Sequence, residues 1–447
     1  KPGEVAREVE QIIHRFLADR RGGRLDLGGA EFEVRAALPQ VGSVLLAQLL
    51  NGDHGGQSGP RIACGRGHHA EFVDYRSKQG HPIRGDVPLR RAYYHCAECP
   101  EDSRRGGIPK DQELDVVGTS CSPGMRRWMA QVGAQEPFDA ARRDLAEVAG
   151  VGVHTKAVER ISEAVGVVAE AANQAERVAI LTGTGLPVAA ATRLYVELDG
   201  TGVPAVPKDT QGRAGKAADG PAKTREAKLG CVFTPTSFDA AGWPLRAPAS
   251  TSYVGAIETA EEFAARLATA AARRGLQRTT TGIVLGAGAP WIWHLAETHF
   301  PDAVHIVDLY HAREHLEAVG RLAFGSGSET GKTWVAARRN ELDDGDVDVI
   351  IAEIRTLPSS SNRKVHDALR QEAEYFETNK LRMCYKYFRG RGFFVGSGVV
   401  EAGCKTVIGH RLKQSGMRWT VAGANAVIAL RCRLLGNRWE DLWRSAA

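Results

Sequence analysis

Between Arg193 and Asp308 the sequence switches repeatedly between two periods, and this constrains the fold more than any other feature. Leu194, Val196 and Leu198 alternate with Tyr195, Glu197 and Asp199, the two-residue period of a strand. Lys228–Thr234 and Thr251–Ile257 read as further strands, as do Thr281–Leu285 and Ala303–Asp308. Glu261–Arg273 has the spacing of an amphipathic helix, Trp291–His299 is a shorter one, and a long helix starts at Tyr310. Strands interleaved with helices at these intervals predict a layered α/β core. Val206–Arg225 has Gly, Lys and Pro without periodicity and reads as a loop. Residues 325–392 read as a mainly polar helical insertion with an acidic patch at Glu341-Leu-Asp-Asp-Gly-Asp346. A last helix opens after Gly396-Ser-Gly398 and carries Glu401.

The front of the chain has a different texture. Glu4 to Leu17 and Val41 to Leu50 read as helices, with a short alternating run at Glu31–Arg35 between them. No chemistry is assigned to this stretch. Helical patterns at Pro123–Gln131 and Pro137–Ala149 precede Gly150-Val-Gly-Val-His154, and a further helix begins at Thr155 and passes Val168. Two helices across a tight Gly-containing turn look like a helix-turn-helix, with Thr155 capping the second.

Residues 64–99 form a compact unit in which Cys64 and His68 precede two strands and a Cys96-Ala-Glu-Cys99 knuckle. Three thiols and an imidazole suit tetrahedral zinc, and a unit this small gains from a metal the stability its core lacks. His69 and His95 compete with His68 for the fourth position.

Composition narrows the classes. At 447 residues the prior is roughly three domains. A net charge of +5 excludes a uniformly basic surface but not a local basic stripe. No apolar run approaches the roughly 18 residues of a membrane span, and Lys1-Pro-Gly-Glu4 begins a segment without the apolar core of a signal peptide. Eight cysteines are too sparse for a disulfide scaffold, so a cytoplasmic chain with reduced thiols is expected.

Two carboxylates stand out. Asp199 ends the first core strand on the same face as Glu197 and Tyr195, where a carboxylate can hold Mg2+. Glu401 lies early in the last helix among Val399, Val400 and Cys404, with Lys405 one turn on. A strand carboxylate and a helix carboxylate can converge on paired metal ions, although such sites normally use more than two acids. Val284-Leu-Gly-Ala-Gly-Ala289 follows a buried strand where a third acid would stand, and it presents Ala287.

In order along the chain stand Arg91-Ala-Tyr-Tyr-His-Cys96, Ser122-Pro-Gly-Met-Arg126, Leu198-Asp-Gly-Thr201 and Glu226-Ala-Lys-Leu-Gly230. Val284 to Trp293, Asp308-Leu-Tyr-His-Ala-Arg-Glu-His315, Gly396-Ser-Gly-Val-Val-Glu401 and Arg411 to Trp419 follow. This series resembles the ISKra4-type bacterial insertion-sequence transposases, a group of DDE transposases with a ribonuclease-H-like catalytic core. The resemblance implies an α/β fold of that kind with a helical insertion, preceded by a zinc-binding unit and a helix-turn-helix-like DNA-binding region. It implies Asp199 as the first catalytic Asp, Glu401 as the closing Glu, and Ala287 at the position of the second Asp. The implied cofactors are Mg2+ or Mn2+ at the catalytic site and structural Zn2+ on Cys64, His68, Cys96 and Cys99. A methyl group in place of a carboxylate ligand, engineered or natural, weakens metal binding and largely removes strand cleavage and transfer.

The implied partners are double-stranded transposon ends and target DNA, with a homodimer or higher oligomer to pair two ends, in the bacterial cytoplasm. Lys405, Arg411, Lys413 and Arg418 make the region around Glu401 basic, suited to phosphates, and Trp419 could stack on an unpaired base. Sequence reading is assigned to the Thr155 helix through Lys156 and Arg160, assisted by Arg126 and Arg127. The expected division is 1–60 helical, 61–120 zinc-ribbon-like, 121–185 DNA-binding, 190–324 core, 325–392 insertion and 393–447 closing helix with a basic end. A sequence-specific DNA-binding protein or domesticated transposase without transfer activity is the competing expectation, and an enzyme acting on RNA is a third.

Overall fold

The computed structural model describes residues 26–100, 105–184, 191–215, 220–240, 244–357 and 362–444, with scattered positions between 3 and 14. The expected helix at Glu4–Leu17 lies mostly outside the described residues; its described positions, 7, 9 to 11 and 14, are helical. The chain divides into two compact units, Lys1–Ser162 and Glu163–Ala447, and the boundary falls inside a helix.

In the first unit, α1 (Leu27–Asn51) is one continuous helix and absorbs the run expected to alternate as a strand. Phe32 and Val34 are exposed, with no partner strand to hold them extended, so the helix-forming Ala, Leu, Glu and Gln around them prevail. Four antiparallel strands follow in spatial order β1 (Arg61–Ala63), β2 (His69–Gly80), β3 (Val87–His95) and β4 (Gly106–Gly107). Ala70, Ala92, Tyr94, Cys96 and Cys99 form the buried centre of this sheet.

Helices α2 (Pro123–Gln135), α3 (Phe138–Ala149) and α4 (Thr155–Leu181) come next. Ser122 caps α2 by accepting from Met125 N, and Gly150 ends α3 in the left-handed conformation. Met125, Met129, Leu145, Val151 and Val158 close a core between the three helices. Thr155 is the first residue of α4, and its hydroxyl donates to Asp139 Oδ1 at 3.0 Å. It ties α4 to α3 instead of capping α4 from outside.

The second unit is built on a five-stranded sheet in the order β11-β10-β5-β6-β9. Its strands are β5 (Arg193–Pro204), β6 (Thr224–Phe233), β9 (Ser252–Ala256), β10 (Thr281–Gly286) and β11 (Val304–Val307), with a small separate hairpin of β7 (Pro235–Phe238) and β8 (Pro244–Arg246). Strands β5, β10 and β11 are mutually parallel, β6 is antiparallel to β5, and β9 is antiparallel to β6. Leu194, Val196 and Leu198 are fully buried, each contributing about 1.5–3 kcal/mol.

The β5–β6 hairpin is longer than expected. Asp199-Gly200 does not end the strand, because β5 continues to Pro204 in register with Thr224. A Cβ on Gly200 would stand 2.6 Å from Glu226 Oε1, so the glycine makes room for a neighbouring side chain within the ladder.

Helix α5 (Ala260–Arg273) packs its Phe263 and Leu267 against Gly230 on one face of the sheet. Helices α6 (Pro290–His299) and α7 (Leu309–Phe324) follow β10 and β11. The polar stretch after them is helical: α8 (Glu329–Asp344), α9 (Val347–Thr356), α10 (Arg363–Asn379) and α11 (Tyr385–Gly390). Its acidic patch is neutralised locally, with Asp343 held by Arg313 at 2.6 Å and Asp344 by Lys386 at 3.0 Å. Then α12 (Gly398–Gly403) runs into a π-helical turn, Cys404–Gly409. Finally α13 (Val421–Leu435) packs its Ile428 beside Gly255. Among the described residues no helix is long and apolar enough to cross a membrane.

Candidate functional site

Two groups of side chains have chemistry to offer. In the first unit, the ligand atoms of Cys64, His68, Cys96 and Cys99 lie within 4.8 Å of one another. Cys64 Sγ is 3.8 Å from Cys99 Sγ, and His68 Nδ1 is 3.6 Å from Cys99 Sγ and 3.9 Å from Cys96 Sγ. A tetrahedron with metal–sulfur bonds of about 2.3 Å has edges of about 3.8 Å, so this spacing already fits a tetrahedral ion. Protonation points the same way. The Arg66 backbone N–H holds the Cys64 thiol below its ordinary value, while neighbouring Cys96, followed by burial, pushes Cys99 up to about 11. Adjacent thiols cannot all ionise without a cation between them. The hairpin explains the convergence, since β2 begins beside His68 and β3 ends beside Cys96. His68 completes the cluster. His69 instead opens β2 opposite Ala63, and His95 pairs with Glu71.

In the second unit, Tyr195, Glu197 and Asp199 share one face of β5, as the alternation predicted. Phe394 N donates to Tyr195 Oη at 3.2 Å, Val400 N donates to Glu197 Oε2 at 2.9 Å, and Cys404 Sγ lies 3.5 Å from Asp199 Oδ2. Each member of the strand face is therefore matched by the segment that carries Glu401. Glu401 stands one turn before Cys404 and is exposed, and Ser397 Oγ donates to its Oε1 at 3.2 Å. Gly286 pairs with Leu198, and continuing that parallel register by one residue sets Ala287 beside Asp199. The structure thus brings Asp199, Ala287 and Glu401 to one end of the sheet, with Asp199 and Ala287 half-buried.

Two buried carboxylates lie beneath this end of the sheet. Asp308 is 1% exposed; it caps α7 by accepting from His311 N at 2.6 Å and also accepts from Ser397 N. Glu197 is fully buried, and its Oε1 has no hydrogen-bond partner. Burial, with Asp308 and Glu401 nearby, pushes its carboxyl up to about 8 against the opposing Val400 N–H and the Arg246 charge. Both hold the backbone from which Glu401 projects. Sequence reading did not find that role, because the partners are main-chain N–H groups.

Tyr375 of α10 was also missed. A Cβ on Gly288 would meet its ring at 2.1 Å, so α10 closes on the loop after β10. His315 is stacked on Tyr375 at 3.7 Å and bonded through Nδ1 to Glu372 Oε2 at 2.6 Å. Among the described residues the only Cys, His, Asp or Glu group with metal spacing is the one in the first unit.

The expected nucleic-acid residues fall into two sets. Lys405, Lys413 and Arg418 are exposed, and Lys413 bonds the Thr201 hydroxyl near Asp199. Arg411 and Trp419 are core residues instead. Arg411 is 0% exposed with its guanidinium over the Trp419 ring, and Trp419 Nε1 donates to Leu412 O at 3.1 Å. The aliphatic stem of Arg411 and its cation–π partner make its burial favourable, which a tally of basic residues cannot reveal. Trp293 is likewise buried, beneath Arg382. In the first unit, Arg126 is paired with Asp115 and Lys156 with Glu159; Arg127 is half-buried and Arg160 is exposed.

No family model matches the chain, and no curated protein is significantly similar to it.

Proposed function

We propose that the second unit is a ribonuclease-H-like core of a DDE transposase whose transfer chemistry is disabled at Ala287, and that the protein binds transposon-end DNA. The observation that carries this reading is the meeting of three positions from distant parts of the chain. Asp199 lies on the central strand β5, Ala287 follows β10 in register beside it, and Glu401 follows β11 on α12, held against β5 through Cys404. In chain order the five strands stand 3-2-1-4-5 with the second reversed. Two carboxylates and a methyl group do not make a complete site for paired divalent ions, so no cleavage step is assigned to this chain.

In this reading the four-ligand cluster of the first unit holds structural zinc, and α3 and α4 form the helix-turn-helix-like reader, with the exposed Arg160 available for DNA. Lys405, Lys413 and Arg418 would meet phosphates beside the carboxylates, while Asp199 and Glu401 would be metal ligands once a third acid is supplied.

The test compares this chain with Ala287→Asp on end-containing DNA in Mg2+ or Mn2+. Strand cleavage by the variant alone is the expected result. Equal robust activity in both would overturn the missing-ligand account. Inactivity of both, with DNA binding retained, would favour the reading as a DNA-binding protein.

A further inference from the structure

One cavity of the second unit is lined by none of Asp199, Ala287 and Glu401. It encloses about 770 Å³ beside the edge strand β9, between α5 and the second half of α4. Seven cationic side chains line it against four glutamates, and the glutamates are already engaged. Glu170 and Glu258 both hold Arg266, at 2.7 and 2.8 Å, and Glu176 is paired with Arg438. Glu262 is occupied in the capping box of α5, accepting from Thr259 N at 2.9 Å.

Lys228 is paired outside the cavity, with Glu226 at 3.1 Å. Subtracting these pairs leaves Arg177, Arg213, Arg225 and Arg273 without an ion-pair partner among the described residues. Arg225 donates only to the Asp209 carbonyl at 3.0 Å, and Arg273 only to the Ser252 hydroxyl at 3.3 Å. Arg273 is also crowded by like charge. Burial, with Arg438 and Arg274 nearby, pulls its guanidinium down to about 10. A half-buried guanidinium facing other cations across a solvent-filled cavity is stabilised when an anion enters.

We propose that this cavity is a phosphate-binding site in which Arg177, Arg213, Arg225 and Arg273 converge on the anion. Guanidinium donors favour oxyanions with several acceptor oxygens, and the volume accepts a diphosphate or a stretch of nucleic-acid backbone. The lining includes none of Asp199, Ala287 and Glu401, and binding there does not depend on any transfer chemistry.

The experiment uses the full chain and two probes: inorganic pyrophosphate by calorimetry, and a labelled DNA duplex of arbitrary sequence by fluorescence anisotropy across a salt series. The variant is Arg177→Gln with Arg213→Gln, both exposed and outside the core. Arg363→Gln with Arg370→Gln on α10 controls for net charge. The pocket variant should bind pyrophosphate at least about tenfold more weakly, with the control unchanged. If pyrophosphate also displaces the duplex, and the pocket variant's salt slope falls by about one to two, the phosphate belongs to nucleic-acid backbone. If duplex binding is untouched while pyrophosphate binding is lost, the site takes a free phosphate ligand. Equal pyrophosphate binding by the parent, the pocket variant and the control overturns the proposal. Because pyrophosphate binding needs no catalysis, this outcome is independent of the Ala287→Asp assay.

Discussion

The Sγ of Cys404 lies 3.5 Å from Asp199 Oδ2, across more than two hundred residues of chain. Burial, with Asp199 and Glu401 close by, pushes this thiol well above its ordinary value, so it stays protonated and donates to the carboxylate. A protonated, buried thiol is a poor nucleophile. Thiol titration of the native protein should therefore give the same count for Cys404→Ser as for the parent. After denaturation the variant should be one thiol short. A lower native count in the variant would show that the strand–helix contact opens readily.

Asp308 satisfies two backbone donors from different segments, His311 N and Ser397 N. In Asp308→Ala both would be left in a buried site, at a cost of about 2–4 kcal/mol. Asp308→Asn keeps an acceptor oxygen and a capping geometry, and should lose less than half of that. Thermal unfolding of the three proteins measures the order. The alanine variant should also loosen the loop before Glu401, seen as faster amide exchange at 396–401.

Removal of metal offers a test confined to the first unit. Purified protein should contain about one zinc per chain, and Cys96→Ser with Cys99→Ser should abolish it. Chelation should lower the unfolding temperature and open the β2–β3 sheet to proteolysis while α5 and the second-unit sheet stay protected. Full occupancy after both substitutions would exclude the cluster as the binding site.

What sequence made legible follows from the range of each interaction. The alternation at Leu194–Asp199 correctly assigned Tyr195, Glu197 and Asp199 to one face, because a strand's period is local. The Cys64-x3-His68 and Cys96-x2-Cys99 spacings likewise identified the four clustered residues. Asp199-Gly200 suggests a strand end because Asp-Gly favours turns, yet pairing with β6 carries the strand to Pro204. Arg411 and Trp419 read as DNA-surface residues because charge is visible in sequence and burial is not, yet both are buried. Nor could sequence locate the boundary between the units, since the helix that crosses it shows no break in composition.

Acid should act on the second unit through Glu170. Burial alone would raise its carboxyl, but the Arg266 guanidinium, bonded to both oxygens at 2.7 Å, brings it net below its ordinary value. A carboxyl depressed in the folded state contributes stability above its unfolded value and loses it as pH falls through the folded one. The parent should thus lose stability between roughly pH 5 and 3. Glu170→Gln should be less stable at pH 7 and show a flatter decline over that interval in urea unfolding. An unchanged slope would assign the acid sensitivity to other carboxylates.

The approach of α4 to α13 depends on an absent side chain. A Cβ on Gly166 would stand 2.4 Å from the Ala426 carbonyl oxygen and 2.7 Å from its Cα, and both of those atoms are backbone. A flexible side chain could swing away from such a contact, but a helix backbone must translate as a body. That translation would disturb neighbouring bonds in this layer, including Arg433 Nη2 to Asn173 Oδ1 at 2.7 Å. Gly166→Ala gains helix propensity of up to about 1 kcal/mol and loses about 1–3 kcal/mol to overpacking, so a net loss is expected. Gly166→Val should cost more, because its branches add bulk where the helices already touch. Unfolding temperatures falling in the order Gly, Ala, Val would establish the close approach. A more stable alanine variant would show that the helices have room the packing does not suggest.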